Sequence, residues 1–292
     1  MKVFFLSLSM AMAVSIAAQP TNTSYKIYNT ATQQVTTVEK IVADCKDVNV
    51  LFFGEEHDDS IGHALELKIL QELERQYAGQ LALSMEMFET DCQLPLDEYL
   101  EGFISDFRFQ KAARVWSNYK DYKPLIEFSK TNHIPVIAAN TPRRYVSMVS
   151  SKGMEALLAL PKASKKFLPP LPYDTLAGKY YEKFQGFMQG GSPGTNNPKI
   201  YYSQCLWDAG MSYSIYKYWK KNKRKKIFHM AGKFHLDEKL GTIAQLLIRD
   251  AKLKVKNISC FSDASFDNPD WEKFKNLGDY IIITDPGVKR SF

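Results

Sequence analysis

The chain has 292 residues, 45% hydrophobic and 13% aromatic, with a formal net charge of +6 and four cysteines. That composition supplies a packed core and excludes a disordered chain. Much of the positive excess sits in one run, 220–226, which reads as a solvated helix end and not as the spread basic face that a nucleic-acid binder needs.

The first eighteen residues read as a secretory leader. Lys2 supplies the charge, residues 3–16 are apolar apart from scattered Ser, and Ala17-Ala18 offers a cleavage site. The run is too short to span a bilayer, and no stop-transfer segment follows. No Cys adjoins the predicted cut, so no lipobox is present. The expected product is a secreted, periplasmic chain beginning near Gln19, one domain over 19–292. In an oxidising compartment, one or two disulfides among Cys45, Cys92, Cys205 and Cys260 are expected, with no pairing set by the sequence. The absence of any CxxC pair excludes a zinc knuckle. Cys205 lies inside a patterned helix and reads as a small buried residue.

After the leader, short apolar runs alternate with helical stretches. Residues 48–53 read as a buried strand broken by Gly54, followed by a helix from Ser60 with Ile61, Leu65, Leu70, Leu73 and Tyr77 at helical spacing and Gly79 as its stop. A second strand, 81–85, ends at Glu86; aromatic-rich helices run to about Asn132. Strands are also predicted at 134–139, ending at Asn140, at 226–231, ending at Gly232, and at 253–259 and 280–284. Strands apolar on both faces and separated by helices predict an α/β fold with a mainly parallel sheet and helices on both faces. The stretch 144–198, with Pro169-Pro170, paired tyrosines and a Gly/Ser/Pro/Asn segment, breaks the alternation and reads as a helical insertion with a loose loop over the sheet edge.

In such a sheet, ligands bind outside the carboxyl ends of the strands. Four predicted strands deliver polar groups there: Glu55, Glu56 and His57; Glu86 and Glu89; Asn140, Arg143 and Arg144; Lys233 and His235. The Gly54-Glu55-Glu56-His57 turn alone is equally well read as a helix start whose acidic residues suit the helix dipole. Its Gly-x-x-His pattern recurs at Gly232 and His235, and His57, His63 and His235 are three of only five histidines. His133 reads as structural and His229 as buried. On the helix 201–221, a stripe of Gln204, Asp208, Met211 and Ile215 places its polar end over the rim, or lets Asp208 pair with a nearby cation.

Five strings, in order, resemble the ChaN-like haem-binding uptake family of the Tiki superfamily, related to erythromycin-esterase-like and TraB/Tiki proteins. They are Leu-Phe-Phe-Gly-Glu-Glu-His-Asp-Asp (51–59, with His63), Ser-Met-Glu-Met-Phe-Glu (84–89), Ala-Ala-Asn-Thr-Pro-Arg (138–143), Gln-Cys-Leu-Trp-Asp (204–208) and Ala-Gly-Lys-Phe-His (231–235). Family members are often lipoproteins, from which this chain departs. The resemblance implies an envelope protein that binds haem for iron acquisition, with a second copy of the chain and an outer-membrane haem transport system as partners. Related branches hydrolyse peptides or esters, some with a divalent metal, and the positions concerned here are Glu55, His57, Glu86 and His235.

Two functions follow. A haem site needs an axial ligand and cations for the propionates. His57, His63 and His235 are the axial candidates, Arg143 and Arg144 the propionate partners, with Asn140, Gln204 and Asp208 beside them. Tyr180, Tyr181, Tyr201 and Tyr202 add aromatic groups without singling one out. A hydrolase would use His57 or His235 as base, Glu55 or Glu86 to fix the imidazole and Arg143 to stabilise negative charge. With a divalent metal, His57, Glu86 and His235 would be the ligands. No Gly-x-Ser-x-Gly elbow is present, which argues against a serine esterase of the α/β-hydrolase type. A small-molecule binder without chemistry is the third reading.

Overall fold

A computed structural model describes residues 24–189 and 197–292. The leader, and most of the Gly/Ser/Pro/Asn segment, lie outside the described residues. In chain order the elements are β1 (Tyr25–Asn29), β2 (Gln34–Val35), α1 (Val38–Ala43), β3 (Val50–Glu55), α2 (Ser60–Tyr77), β4 (Leu81–Glu89), α3 (Gln93–Leu100), α4 (Asp106–Ala113), α5 (Tyr119–Thr131), β5 (Val136–Asn140), α6 (Arg143–Lys152), α7 (Lys162–Lys165), α8 (Lys179–Gln189), α9 (Pro198–Lys221), β6 (Lys226–Gly232), α10 (Thr242–Arg249), β7 (Val255–Ser262), α11 (Trp271–Phe274) and β8 (Tyr280–Thr284).

The eight strands form one sheet in the order β2-β1-β8-β7-β3-β6-β4-β5. All six strands expected from the sequence are present and run parallel to one another. The hairpin β1–β2 is additional and joins β8 antiparallel, extending that edge of the sheet. β3 lies at the centre, and alternation along it explains why it is apolar throughout. Leu51 and Phe53 enter a core under α1, α2 and α5, while Val50 and Phe52 enter a second core under α9 and α10. Both faces are therefore covered by helix. Between Arg143 and Gln189 the chain carries α6, α7 and α8, with residues 166–178 outside any helix, and Tyr145, Val149, Leu157 and Tyr180 pack with Tyr201 and Leu206 of α9 in a third cluster.

The ends of the elements follow local chemistry. The Asp59 carboxylate accepts the amides of Ile61 and Gly62 and so caps α2. Beyond the end of α2, Gly79 takes φ +71°, the left-handed turn that a helix stop uses. β4 does not end at Glu86 as the sequence suggested. It continues to Glu89 through a register shift against β5 between Met85 and Glu89, and such a bulge re-aims side chains next to a site. The expected disulfides are absent: all four cysteines are free and buried. The Cys45 thiol donates to the Ile41 carbonyl of α1 and the Cys92 thiol to the Ala113 carbonyl of α4. No helix among the described residues is long and apolar enough to cross a membrane.

Gly54 marks where β3 approaches the end of β6. A Cβ there would stand 3.0 Å from Lys233 Cα and 3.3 Å from the Ile258 carbonyl oxygen, backbone on both sides. Gly54→Ala should therefore cost about 1–3 kcal/mol, read as a lowered urea midpoint with an unchanged slope.

Candidate functional site

β3 delivers Glu55 to a position with no solvent contact, and the turn that follows folds His57 back onto it. The His57 Nδ1 to Glu55 Oε1 distance is 2.7 Å, and the Tyr122 hydroxyl of α5 donates to the same oxygen at 2.7 Å. His63, one turn into α2, puts Nε2 3.2 Å from Glu55 Oε2, though without hydrogen-bond alignment. Burial alone would raise the Glu55 pKa, but the His57 hydrogen bond and the nearby His63 imidazole outweigh burial and hold the carboxyl well below the usual range. For His57, burial works against the charged form, but the Glu55 hydrogen bond and the charges of Glu86 and Glu55 prevail and raise its pKa above 6.5. The His57 carbonyl accepts from the Asn118 amide at 3.0 Å, and Trp116 meets the ring edge-on at 5.1 Å. His57 Nε2 has no hydrogen-bond partner among the described residues and faces Gly232, where a Cβ would come within 2.9 Å of it.

Across the rim, β6 ends in Gly232, whose amide donates to Glu86 Oε2 at 2.7 Å. His235 follows on a short turn. Its Nδ1 lies 2.7 Å from Asp208 Oδ1 and its Nε2 3.6 Å from Glu86 Oε1. Asp208 of α9 is fully buried and also accepts from the Tyr180 and Thr242 hydroxyls, at 2.6 and 2.8 Å. Gln204, one turn earlier, donates to the Tyr180 hydroxyl at 3.2 Å and lies 3.1 Å from His235 Nδ1. Burial opposes charging of His235, yet the carboxylates of Asp208 and Glu86 raise its pKa to about 9, so at neutral pH it is an imidazolium whose two nitrogens both face carboxylates. His229, buried in β6 as expected, is driven the other way, to about 3.

A cleft of about 740 Å³ opens between these groups, lined by His57, Glu86, Glu89, Arg114, Trp116, Asn140, Thr141, Arg143, Arg144, Trp207 and His235. The structure thus brings His57, Glu86, Asn140, Arg143, Arg144 and His235 to one wall. Glu55, His63, Gln204 and Asp208 lie behind it as supports. Arg144 is bound to Asp91, and Arg114 to Glu89 and Asp91. Arg143 is exposed, and its guanidinium has no partner among the described residues. Glu56 turns away to Arg290 and Ser262. Among the described residues, the group whose ligand atoms lie within 4.8 Å of one another is Glu55, His63 and Glu66; His57, Glu86 and His235 share the cleft without closing to that spacing. Sequence reading missed Trp116, Asn118, Tyr122 and Thr242, which reach the site from distant segments, and named Tyr180 without distinguishing it from its neighbouring tyrosines. It also missed Glu66, a carboxylate among the apolar positions of α2 and so visible in principle.

The raised His235 pKa sets a sign. A folded pKa above the unfolded value means stabilisation fully present below about 6.5 and lost as pH rises through about 9. Unfolding midpoints should fall between pH 6.5 and 9.5, and Asp208→Asn should flatten that slope, leaving the part that His57 contributes.

The described fold is similar to that of known proteins. It matches a structure of cofacial haem binding to ChaN of Campylobacter jejuni with a TM-score of 0.67 and 18% identity, over 89% of this chain and 96% of that one. An erythromycin esterase EreC variant in its open conformation gives a TM-score of 0.46 at 10% identity, over 82% of this chain and 77% of that one. In sequence, 142 residues are 24% identical to RETICULATA-RELATED 5, a chloroplastic protein of Arabidopsis thaliana. That match covers 45% of this chain and spans only 19% of the relative. The family model for haem-binding uptake proteins of the Tiki superfamily, ChaN, matches residues 41–246, more than two thirds of the chain. The chain belongs to that family.

Proposed function

We propose that this protein binds haem in the cleft above β3 and β6, as a secreted envelope protein serving haem and iron acquisition. The observation that carries the reading is His57: an imidazole anchored through Nδ1 to a buried carboxylate, with Nε2 unpartnered at the cleft wall. That arrangement fixes the tautomer and strengthens the free nitrogen as a metal ligand. The rest of the cleft suits the group. Trp116 and Trp207 offer apolar faces, and the unpaired Arg143 guanidinium can take a propionate. Haem would supply an iron with an axial position for His57 and two carboxylates for the arginine side. His235, held as a cation between Asp208 and Glu86, has no lone pair to offer at neutral pH, and His63 is buried behind Glu55. Of the three axial candidates, His57 is therefore the one chosen. Family membership supports the ligand, as does the ChaN structure of Campylobacter jejuni, which is one of cofacial haem binding. Two haems face to face would call for a second copy of the chain. Residues 1–18 are the basis for secretion, and family membership is the basis for a partnered outer-membrane haem transport system.

The test is a titration of the purified protein with hemin. A Soret band shifted from that of free hemin and saturating at stoichiometric ratio is the expected result; an unshifted band would overturn the proposal. His57→Ala should weaken binding at least tenfold, about 1.4 kcal/mol, and Arg143→Ala by about two- to fivefold, as for an exposed ion pair. Because the ligand is the neutral imidazole, affinity should rise as pH increases through the elevated His57 pKa.

One observation favours a second reading, a hydrolase. Both imidazoles at the rim are held by buried carboxylates, His57 by Glu55 and His235 by Asp208, with Glu86 between them and Arg143 at the edge. His57 would accept a proton from water, His235 would donate one to a leaving group, and Arg143 would stabilise developing negative charge. Screening ester and peptide substrates with wild type and His57→Ala checks this; equal rates rule out His57 as the base.

A further inference from the structure

We propose that Glu55, His63 and Glu66 form a buried site for one divalent cation directly beneath the cleft. His63 and Glu66, three residues apart on α2, project from the same face toward the end of β3, and one ligand atom from each of the three residues lies within 4.8 Å of the other two. All three are buried, at 1%, 6% and 0% exposure for Glu55, His63 and Glu66.

What points to a ligand is the state of their polar atoms. Both oxygens of Glu66, both nitrogens of His63 and Glu55 Oε2 are buried without a hydrogen-bond partner. Buried polar atoms are nearly always satisfied, and three residues that each bring an unpartnered atom to one point mark something missing. No Lys or Arg forms an ion pair with either carboxylate among the described residues. The groups packed around the cluster do not supply the deficit. Tyr122 spends its hydroxyl on Glu55 Oε1, and Asp59 turns its carboxylate to the amides of α2 and to the Thr284 hydroxyl. Without a cation, burial and the Glu55 charge push the Glu66 carboxyl well above its usual value, toward the protonated form. A proton lets Glu66 donate to Glu55 but still leaves its second oxygen and an imidazole nitrogen of His63 without a partner. A divalent cation satisfies all three residues together.

Two carboxylates and an imidazole suit a borderline cation such as Mn²⁺, Fe²⁺, Co²⁺ or Zn²⁺. The site would also reach the cleft chemically. Glu55 would face the cation through Oε2 while accepting from His57 through Oε1, so the cation would draw on the carboxylate that polarises His57. The inference does not depend on haem binding, since the three residues lie off the cleft wall.

Metal-stripped full-length protein titrated with Co²⁺ in the absence of hemin tests it. The expected result is one equivalent bound per chain, visible ligand-field bands and a raised thermal midpoint. Glu66→Gln, nearly equal in volume, should weaken Co²⁺ binding at least about tenfold and abolish the thermal shift, and His63→Gln should do the same. Glu86→Gln, which alters only the cleft wall, should bind Co²⁺ as wild type does. Absence of Co²⁺ and Mn²⁺ binding by the wild type would overturn the proposal. So would loss in Glu86→Gln with retention in Glu66→Gln, which would put the cation at the rim.

Discussion

Glu55 has its carboxylate out of solvent with no lysine or arginine as counterion among the described residues, and the hydrogens of His57 and Tyr122 must stabilise its charge. Taking a carboxylate out of water is unfavourable unless its lone pairs are met, so wherever Glu55 goes its donors have to follow. That constraint fixes the turn after β3, because Nδ1 reaches Oε1 only with the chain folded back after Gly54. It also fixes the start of α5: Asn118 precedes that helix without capping it and gives its amide to the His57 carbonyl. Two segments far apart in sequence, the turn after β3 and the start of α5, are tied to one carboxylate, and the direction in which His57 presents Nε2 follows from that tie.

The second Gly-x-x-His turn is built on the same plan with a different electrostatic result. His235 has Asp208 at one nitrogen and Glu86 near the other, and the paired carboxylates hold it protonated to about 9. His57 has a hydrogen-bonded carboxylate at Nδ1, with Glu86 acting on it through its charge, and Nε2 faces a space that Gly232 keeps open by having no side chain. One imidazole is therefore a fixed donor and the other a lone pair available above its own pKa. The repeat in the sequence reads as two equivalent histidines. The difference between them comes from Glu86 and Asp208, which the folded chain delivers from β4 and α9.

Legibility in the sequence followed the range over which each feature is encoded. The six parallel strands are local apolar runs, and the cap at Asp59 and the stop at Gly79 are local too, so the spine of the fold could be read directly. The hairpin β1–β2 could not, since Tyr25–Asn29 is a short stretch with Lys26 and Asn29 in it that becomes a strand by pairing with β8, some 250 residues away. The continuation of β4 to Glu89 depends on the bulge against β5, a property of the pair. At the cleft, two residues expected at strand ends are missing from the lining: Glu56, which Arg290 draws aside, and Lys233, which pairs with Asp237. The supports were invisible because Tyr122 and Thr242 belong to helices whose approach is decided by packing. The cysteines fell to the same limit: secretion suggested disulfides, while Cys45, Cys92 and Cys260 are enclosed unpaired in one core cluster and Cys205 in another.

The distribution of charge around the cleft also constrains what can lie in it and which way round. The floor carries Glu86, with Glu55 and Asp208 behind it, against the single cation of His235. At the lip, Arg114 and Arg144 are neutralised by Glu89 and Asp91, which leaves Arg143 as the cation without a partner. A ligand with anionic groups at one end is repelled by the floor and drawn to the Arg143 side, and its apolar body then meets Trp116 and Trp207. A rigid, flat ligand with carboxylates along one edge meets these requirements in a single orientation. A small anion meets only the first, since nothing at Arg143 alone would hold it near His57. Arg114 and Arg144 are thus tied to carboxylates at the lip while Arg143 is left for a ligand, and that division gives the cleft its polarity.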